Sequence, residues 1–231
     1  MTTQTRPSMP PPVRPAHLLA PPGVYAPQYD TELLTRALHR EGIDEGTSVL
    51  DLGTGTGALA VAAARRGARV TAVDISWRAV LTARLNARLA GQSVTVRHGD
   101  LRTALPKGPY DLLVSNPPYV PSPSPRLPRR GAARAWDGGP AGRALVDRVC
   151  DAAPRALRPG GVLLMVHSAL CDADATLDRL AKLGMRAEIA DREFIPFGPV
   201  LRSRRGWLRR RGLLGEDDNR EELVVIRAEL R

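Results

Sequence analysis

Three glycines stand at alternate positions directly after a short apolar run, Val49-Leu50-Asp51-Leu52-Gly53-Thr54-Gly55-Thr56-Gly57, and an alanine-rich stretch follows. An apolar run of this length ending in glycine reads as a buried strand, and the alanines after it read as a helix. Between the two, glycines at every second position let the chain turn tightly and leave bare peptide groups for a ligand to lie against. A plain strand-to-helix turn needs one glycine. Three argue for a binding turn. Gly53, Gly55 and Ala58 also satisfy the G-x-G-x-x-G/A pattern of dinucleotide sites. Two features count against that reading. Asp51 sits inside the strand end, where an acid is costly unless a polar or cationic group meets it. No second nucleotide half or hydride-transfer site follows it.

The same alternation runs along the chain. Leu33, Leu34, Ala37 and Leu38 recur at helical spacing after a cap near Asp30–Thr31. Strands are expected at Ser48–Leu52, Arg69–Val73, Val94–His98, Asp111–Ser115, Val162–His167, Met185–Ile189 and Glu222–Ala228. Helices are expected over 57–66, 76–90, 141–157 and 172–183, the second with Val80, Leu81, Ala83, Leu85 and Leu89 on its inner side. Such a chain is α/β, with a Rossmann-like, doubly wound and mostly parallel sheet covered on both faces. Sheets of this kind bind ligands beyond the C-terminal strand ends, where the strand order reverses.

The strand ends carry the chemistry. Asp74 closes the second strand, 21 residues after Gly53, where an acid accepts both hydroxyls of a ribose; alone it could equally cap the next helix. Asp100 ends the third strand and is placed to meet the exocyclic amine of an adenine. With Asp51 these acids outline an adenosine site, with one carboxyl near the cofactor's amino acid end. The fourth strand ends in Asn116-Pro117-Pro118-Tyr119. Two prolines extend the backbone and remove two donors. The Asn116 side-chain oxygen and the Pro117 carbonyl can then point at one incoming NH2 group, with Tyr119 flat against a planar amide or base. This suits methylation of a weakly nucleophilic nitrogen, in which positioning carries most of the effect and no metal is needed.

These residues resemble the motifs of class I S-adenosylmethionine-dependent methyltransferases. Within them the chain is most similar to the HemK-type release-factor glutamine methyltransferases, in the short form without a separate N-terminal helical domain. Val24-Tyr25-Ala26-Pro27-Gln28-Tyr29-Asp30-Thr31 is similar to that branch's V-Y-x-P-x-x-D-T segment, which closes over the cofactor. Trp136-Asp137-Gly138-Gly139-Pro140-Ala141-Gly142 is similar to its W-x-G-G-x-x-G stretch. The resemblance covers roughly residues 24–200 and the last strand, and implies a seven-stranded sheet with that strand antiparallel. It also implies transfer of a methyl group from S-adenosylmethionine to the side-chain amide of a glutamine in a Gly-Gly-Gln segment of a release factor. Asn116, Pro117, Pro118 and Tyr119 would hold the glutamine. Asp51, Gly53, Gly55 and Gly57 would hold the methionine part, Asp74 the ribose and Asp100 the adenine, with Tyr25 and Thr31 lining the entrance. Tyr29 stands where an acid is common in the short branch. Asn-Pro-Pro-Tyr also serves methyltransferases of adenine in RNA or DNA, because the two NH2 groups share a geometry, and a small-molecule amine is a further alternative. Duplex DNA is disfavoured, since base flipping normally needs a separate recognition region.

Composition sets the frame. The chain has 231 residues, 43% hydrophobic and 25% charged, ordinary for one soluble domain. No apolar run approaches the roughly 18 residues of a membrane span, and Met1–Pro22 lacks the apolar centre of a signal peptide. Two cysteines without ligand spacing indicate neither a disulfide framework nor a metal site, and a reducing cytoplasm is the expected home. Fifteen of 21 prolines fall within 1–27 and 116–140. The reading is therefore a disordered arm over 1–22 and one methyltransferase domain over 23–231, with 116–140 as substrate loop and 197–219 as a basic insertion. The net charge is +10, and its densest cluster, Arg202, Arg204, Arg205, Arg209, Arg210 and Arg211, is either a nucleic-acid contact or a solvated helix face. Trp77 is expected either along the adenine or in packing, Phe194 and Phe197 in the core, His167 as a structural edge residue, and Trp207 either packed or at a partner surface.

Overall fold

The computed structural model describes residues 18–100 and 108–231. Among these residues, seven strands form one sheet in the order β3-β2-β1-β4-β5-β7-β6. The strands are β1 (Ser48–Leu52), β2 (Arg69–Asp74), β3 (Val94–His98), β4 (Tyr110–Ser115), β5 (Leu157–Ser168), β6 (Met185–Pro196) and β7 (Arg220–Leu230). β1 to β5 pair in parallel, while β7 runs antiparallel to both β5 and β6. The expected architecture, including the antiparallel last strand, is the one observed. Its helices are α1 (Tyr29–Arg40), α2 (Ala58–Ala64), α3 (Trp77–Leu89), α4 (Val146–Ala156), α5 (Ala173–Lys182) and α6 (Pro199–Arg210). From β1 the chain runs outward through β2 and β3, then returns to place β4 on the other side of β1. The order therefore reverses between β1 and β4, and both strand ends open on the same crevice.

The central strands read as apolar runs because both faces are covered. Val49, Leu50, Leu52, Leu113, Val114, Leu163 and Met165 are all fully buried. On α1, Leu33, Leu34, Ala37 and Leu38 are buried, as the helical spacing requires.

α3 overturns an expectation. Leu81, Leu85 and Leu89 are exposed, as is Trp77, and the buried face is made of Ala79, Val80, Thr82, Ala83, Asn86 and Ala87. The small residues face inward because the turn before α2 comes very close: a Cβ at Gly57 would lie 3.1 Å from the Ala83 Cβ. Asn86 adds a polar anchor, donating to Thr56 O at 2.8 Å and Leu19 O at 2.9 Å, while its oxygen accepts the Leu19 N–H at 2.9 Å. That clamp also corrects the expected extent of the disordered arm. Residues 18–22 are placed on α3, with Arg78 donating to Pro22 O at 2.6 Å, while the rest of the arm, 1–17, lies outside the described residues.

Other boundaries shift for local reasons. The helix expected over 141–157 starts at Val146, because the glycine-rich stretch before it packs on the backbone at Tyr119: a Cβ at Gly142 would lie 2.3 Å from Tyr119 O. β6 runs on to Pro196 as an edge strand, and Phe194 stands on its solvent face, 62% exposed, rather than in the core. Phe197 is buried, in a second small core with Leu201, Leu208 and Leu214, against which Trp207 packs. Trp207 thus packs within its own chain. His167 is fully buried on β5, a central strand rather than an edge, and burial pushes its imidazole down to about 4, so it stays neutral.

Candidate active site

The C-terminal ends of β1, β2 and β4 open into a cavity of about 930 Å³, toward the upper end of the ~300–1,000 Å³ usual for small-molecule sites. Gly53, Gly55, Asp74, Asp100, Asn116, Pro117, Pro118, Tyr119, Tyr25 and Thr31 all line it. Asp51 and Gly57 do not.

The glycine turn is held from β2. The Gly53 and Thr54 N–H groups donate to Val73 O at 2.9 and 3.1 Å, and Gly53, Gly55 and Gly57 have φ of 75°, 55° and 83°. A Cβ at Gly53 would meet no atom within 4 Å, so the turn leaves open space where other residues would stand. Asp74 braces the turn from the side. One of its oxygens accepts the Gly55 N–H at 3.0 Å and the other the Ser76 N–H at 2.8 Å, which leaves lone pairs on both for a diol. Asp51 works from behind the wall. Its Oδ2 accepts from the Thr54 hydroxyl at 2.6 Å and the Ala60 N–H at 3.1 Å, and burial pushes its carboxyl up to about 7. It ties the turn to the first residues of α2 and does not touch the cavity. Gly57 serves the contact with Ala83.

Opposite this turn, Asp30 is the hub. It is buried, and its Oδ2 accepts from the Tyr119 hydroxyl at 3.0 Å and from the Tyr25 hydroxyl at 2.7 Å. Its Oδ1 accepts from the Thr31 N–H at 2.6 Å and the Thr31 hydroxyl at 3.2 Å. The Thr31 oxygen in turn accepts from Asn116 Nδ2 at 3.4 Å. One carboxyl therefore fixes Tyr119 directly and Asn116 through Thr31, with the Asn116 nitrogen occupied and its oxygen left to accept. Tyr25 and Thr31 line the cavity and are also tied to the Asn-Pro-Pro-Tyr turn. Burial raises both phenols well above the usual tyrosine range. Tyr29, exposed on the first turn of α1, takes no part in this network.

The helical spacing alone reads Asp30 as a cap; its place in the V-Y-x-P-x-x-D-T segment is the available clue. Glu221 on β7 joins the same region: it is buried near Asp30 and Tyr119, and burial pushes its carboxyl up to about 7. Nothing in the apolar run that follows Glu221 marks it. Trp77 does not line the cavity; it stacks on His98 with ring centroids 4.3 Å apart.

The methyltransferase small domain family matches residues 16–124. A putative protein N5-glutamine methyltransferase of Methanocaldococcus jannaschii is 34% identical over 182 residues, covering 78% of this chain and 90% of the relative. The chain belongs to the HemK-type glutamine methyltransferase family. A release factor glutamine methyltransferase of Bordetella pertussis is 40% identical over 176 residues, covering 71% of this methyltransferase and 64% of the longer relative. Among solved structures, the E. cuniculi Mtq2–Trm112 complex, described as methylating the eRF1 translation termination factor, superposes with a TM-score of 0.63 at 27% identity. That match covers 90% of this chain and 99% of the other.

The methyl donor of this enzyme is S-adenosylmethionine, and the cavity suits it. The open glycine turn and the lone pairs of Asp74 fit the nucleoside and its flexible tail, and Asp100 lines the same wall. Among the described residues no helix is long and apolar enough to cross a membrane.

Proposed function

We propose that this chain methylates the side-chain amide nitrogen of the glutamine in a Gly-Gly-Gln segment of a peptide chain release factor. The observation that carries the reading is the Asp30–Thr31–Asn116 chain, which presents an amide oxygen beside the donor-free prolines of the turn. Asn116 Oδ1 and the Pro117 carbonyl accept the two N–H bonds of the incoming amide, and Tyr119 covers its plane. Gly53 and Gly55 take the methionine part of the donor, Asp74 the ribose hydroxyls and Asp100 the adenine; Asp51 and Gly57 hold the shape of that wall. The bound donor supplies a methyl group on a sulfonium, which leaves as a neutral thioether. Holding both N–H bonds aims the nitrogen lone pair along the bond that breaks, and one amide proton passes to solvent as the new C–N bond forms. Alignment supplies the rate, as expected where geometry replaces a strong base.

The chemistry sits in one domain over 23–231, with 116–140 as the substrate loop. Two buried free thiols, Cys150 and Cys171, suit the reducing cytoplasm in which release factors work. The test is transfer of labelled methyl from S-adenosylmethionine to a purified release factor, to its Gly-Gly-Gln glutamine→alanine variant, and to total RNA. Label on the wild-type factor and not on the variant is the expected result. Label on RNA alone would move the acceptor to adenine. No label on either, with the donor still bound, would point to a small-molecule amine.

A further inference from the structure

The arginine cluster of the basic insertion is largely engaged with its own chain. Arg202 donates to Phe197 O at 2.8 Å and Arg205 to Asp218 O at 2.9 Å, while Arg209 bonds Gly215 O at 3.2 Å and also Glu216 O. Arg204 reaches furthest. Its guanidinium pairs with Asp137 at 2.6 Å and donates to Pro121 O at 2.9 Å, with 18% of its side chain and 8% of that of Asp137 exposed. Both partners lie in the substrate loop. Pro121 is two residues beyond Tyr119, and Asp137 stands beside Val120 in a parallel bridge. The Val120 N–H donates to Trp136 O at 2.8 Å and the Gly138 N–H to Val120 O at 2.9 Å. Ser122 Oγ donates to Asp137 Oδ2 at 3.2 Å. Apolar contact supports the polar one, since Val120 and Leu170 pack against the small core built on α6.

We propose that α6 is a brace for the acceptor side of the cavity, with Arg204 as a positioning residue for the Asn-Pro-Pro-Tyr turn. A planar guanidinium suits the task, because it meets a carboxylate and a carbonyl at once in a fixed fork. Asp30 holds the turn from the entrance side, and Arg204 holds the residues that leave it. Without the guanidinium, Asp137 is a buried carboxylate lacking its cation, and the loop must shift to hydrate it. The turn then loses the alignment on which transfer depends. This inference rests on the reading of Asn116–Tyr119 as the acceptor site.

The experiment compares Arg204→Met, Arg204→Lys and Asp137→Asn with Asn116→Ala in the full chain. Turnover of release factor is normalised to the fraction of protein that binds S-adenosylmethionine. Arg204→Met is expected to lower kcat by about 10–100-fold, the scale of a misplacement near 1 Å, with donor affinity unchanged. Arg204→Lys should recover part of the loss, because its single ammonium can keep the charge pair. Adding Asp137→Asn to Arg204→Met should recover part too, by removing the stranded charge. Wild-type kcat in Arg204→Met, beside an inactive Asn116→Ala, would overturn the brace. Full activity in Asn116→Ala would overturn the site reading instead. If Arg204→Met does not fold, kcat in Arg204→Lys and Asp137→Asn decides, and wild-type values in both overturn the brace. Loss confined to Arg210→Glu/Arg211→Glu would make α6 a docking face for an anionic partner and also overturn it.

Discussion

On the side of the cavity assigned to the methyl donor, the bonds to the two strand-end carboxyls are local. Thr54 and Ala60 reach Asp51 across three and nine residues, and Gly55 and Ser76 reach Asp74 across 19 and two. On the acceptor side the braces span the chain. Tyr119 meets Asp30 across 89 residues, Asn116 meets Thr31 across 85, Arg204 meets Pro121 across 83, and Cys171 donates to Tyr119 O across 52. The donor wall is therefore a property of one strand–turn–helix unit and its neighbour. The acceptor turn, whose prolines offer no N–H of their own, takes its shape from elements brought together only by the finished fold. On the proposed reading, a local unit binds the donor and a long-range frame sets where the acceptor sits.

Substitutions should separate the two sides. The largest effect is expected for Asn116→Ala, which should lower turnover by about 10²–10³-fold, the scale for loss of one oriented polar group at a reacting centre. Donor affinity by calorimetry should stay within about twofold of wild type, and a parallel loss of affinity would merge the two sides. Next, Asp74→Ala should weaken S-adenosylmethionine binding by about 1–3 kcal/mol, through lost charge-assisted hydrogen bonds. Unchanged affinity would refute the ribose assignment. Asp30→Asn keeps the shape of the hub but places an NH2 group where phenols now donate. Turnover is expected to fall at least about tenfold at saturating donor, since one hydrogen bond to a charged group contributes about 1.5 kcal/mol or more, and unchanged kcat would show that Asp30 does not govern the turn.

The subtlest effect is one of pH. In the folded chain the Glu221 carboxyl is raised to about 7 from a usual 4.5, mainly by burial. The folded state thus binds this proton more tightly than the unfolded chain. Stability from this group is fully present below about 4.5 and is lost as pH climbs through about 7. Asp51, raised to about 7 by burial, acts in the same direction. Replacing Glu221 with Gln should flatten the fall in Tm between pH 5 and 8. An unaltered slope would mean that the carboxyl is hydrated in the folded protein.

The contrast also explains what was legible in the sequence. Glycines at every second position, acids at three strand ends and the Asn-Pro-Pro-Tyr turn are local patterns, and the cavity brings most of them together. Asp51 and Gly57 belong to the same pattern but act one layer behind the surface, because spacing identifies a turn without saying which of its residues face the ligand. Asp30 looked like a cap because caps and buried hubs use the same residue. Glu221 and the Arg204–Asp137 pair left no trace, since only the fold makes them neighbours. α3 misled for another reason. Leu81, Leu85 and Leu89 form a good helical stripe, but the inner face is the one that Gly57 meets at Ala83, where only a small side chain fits.

The position of β7 between β5 and β6 carries a consequence for synthesis. Until residues 220–230 have left the ribosome, β6 has no strand to pair with, and one edge of β5 lies open. Glu221, buried near the hub carboxyl, arrives with that same strand. The nascent chain can thus form its donor wall while the acceptor side is still missing a neighbour. For that interval it is a half-built enzyme, open at an unpaired strand edge that chaperones or neighbouring nascent chains could engage.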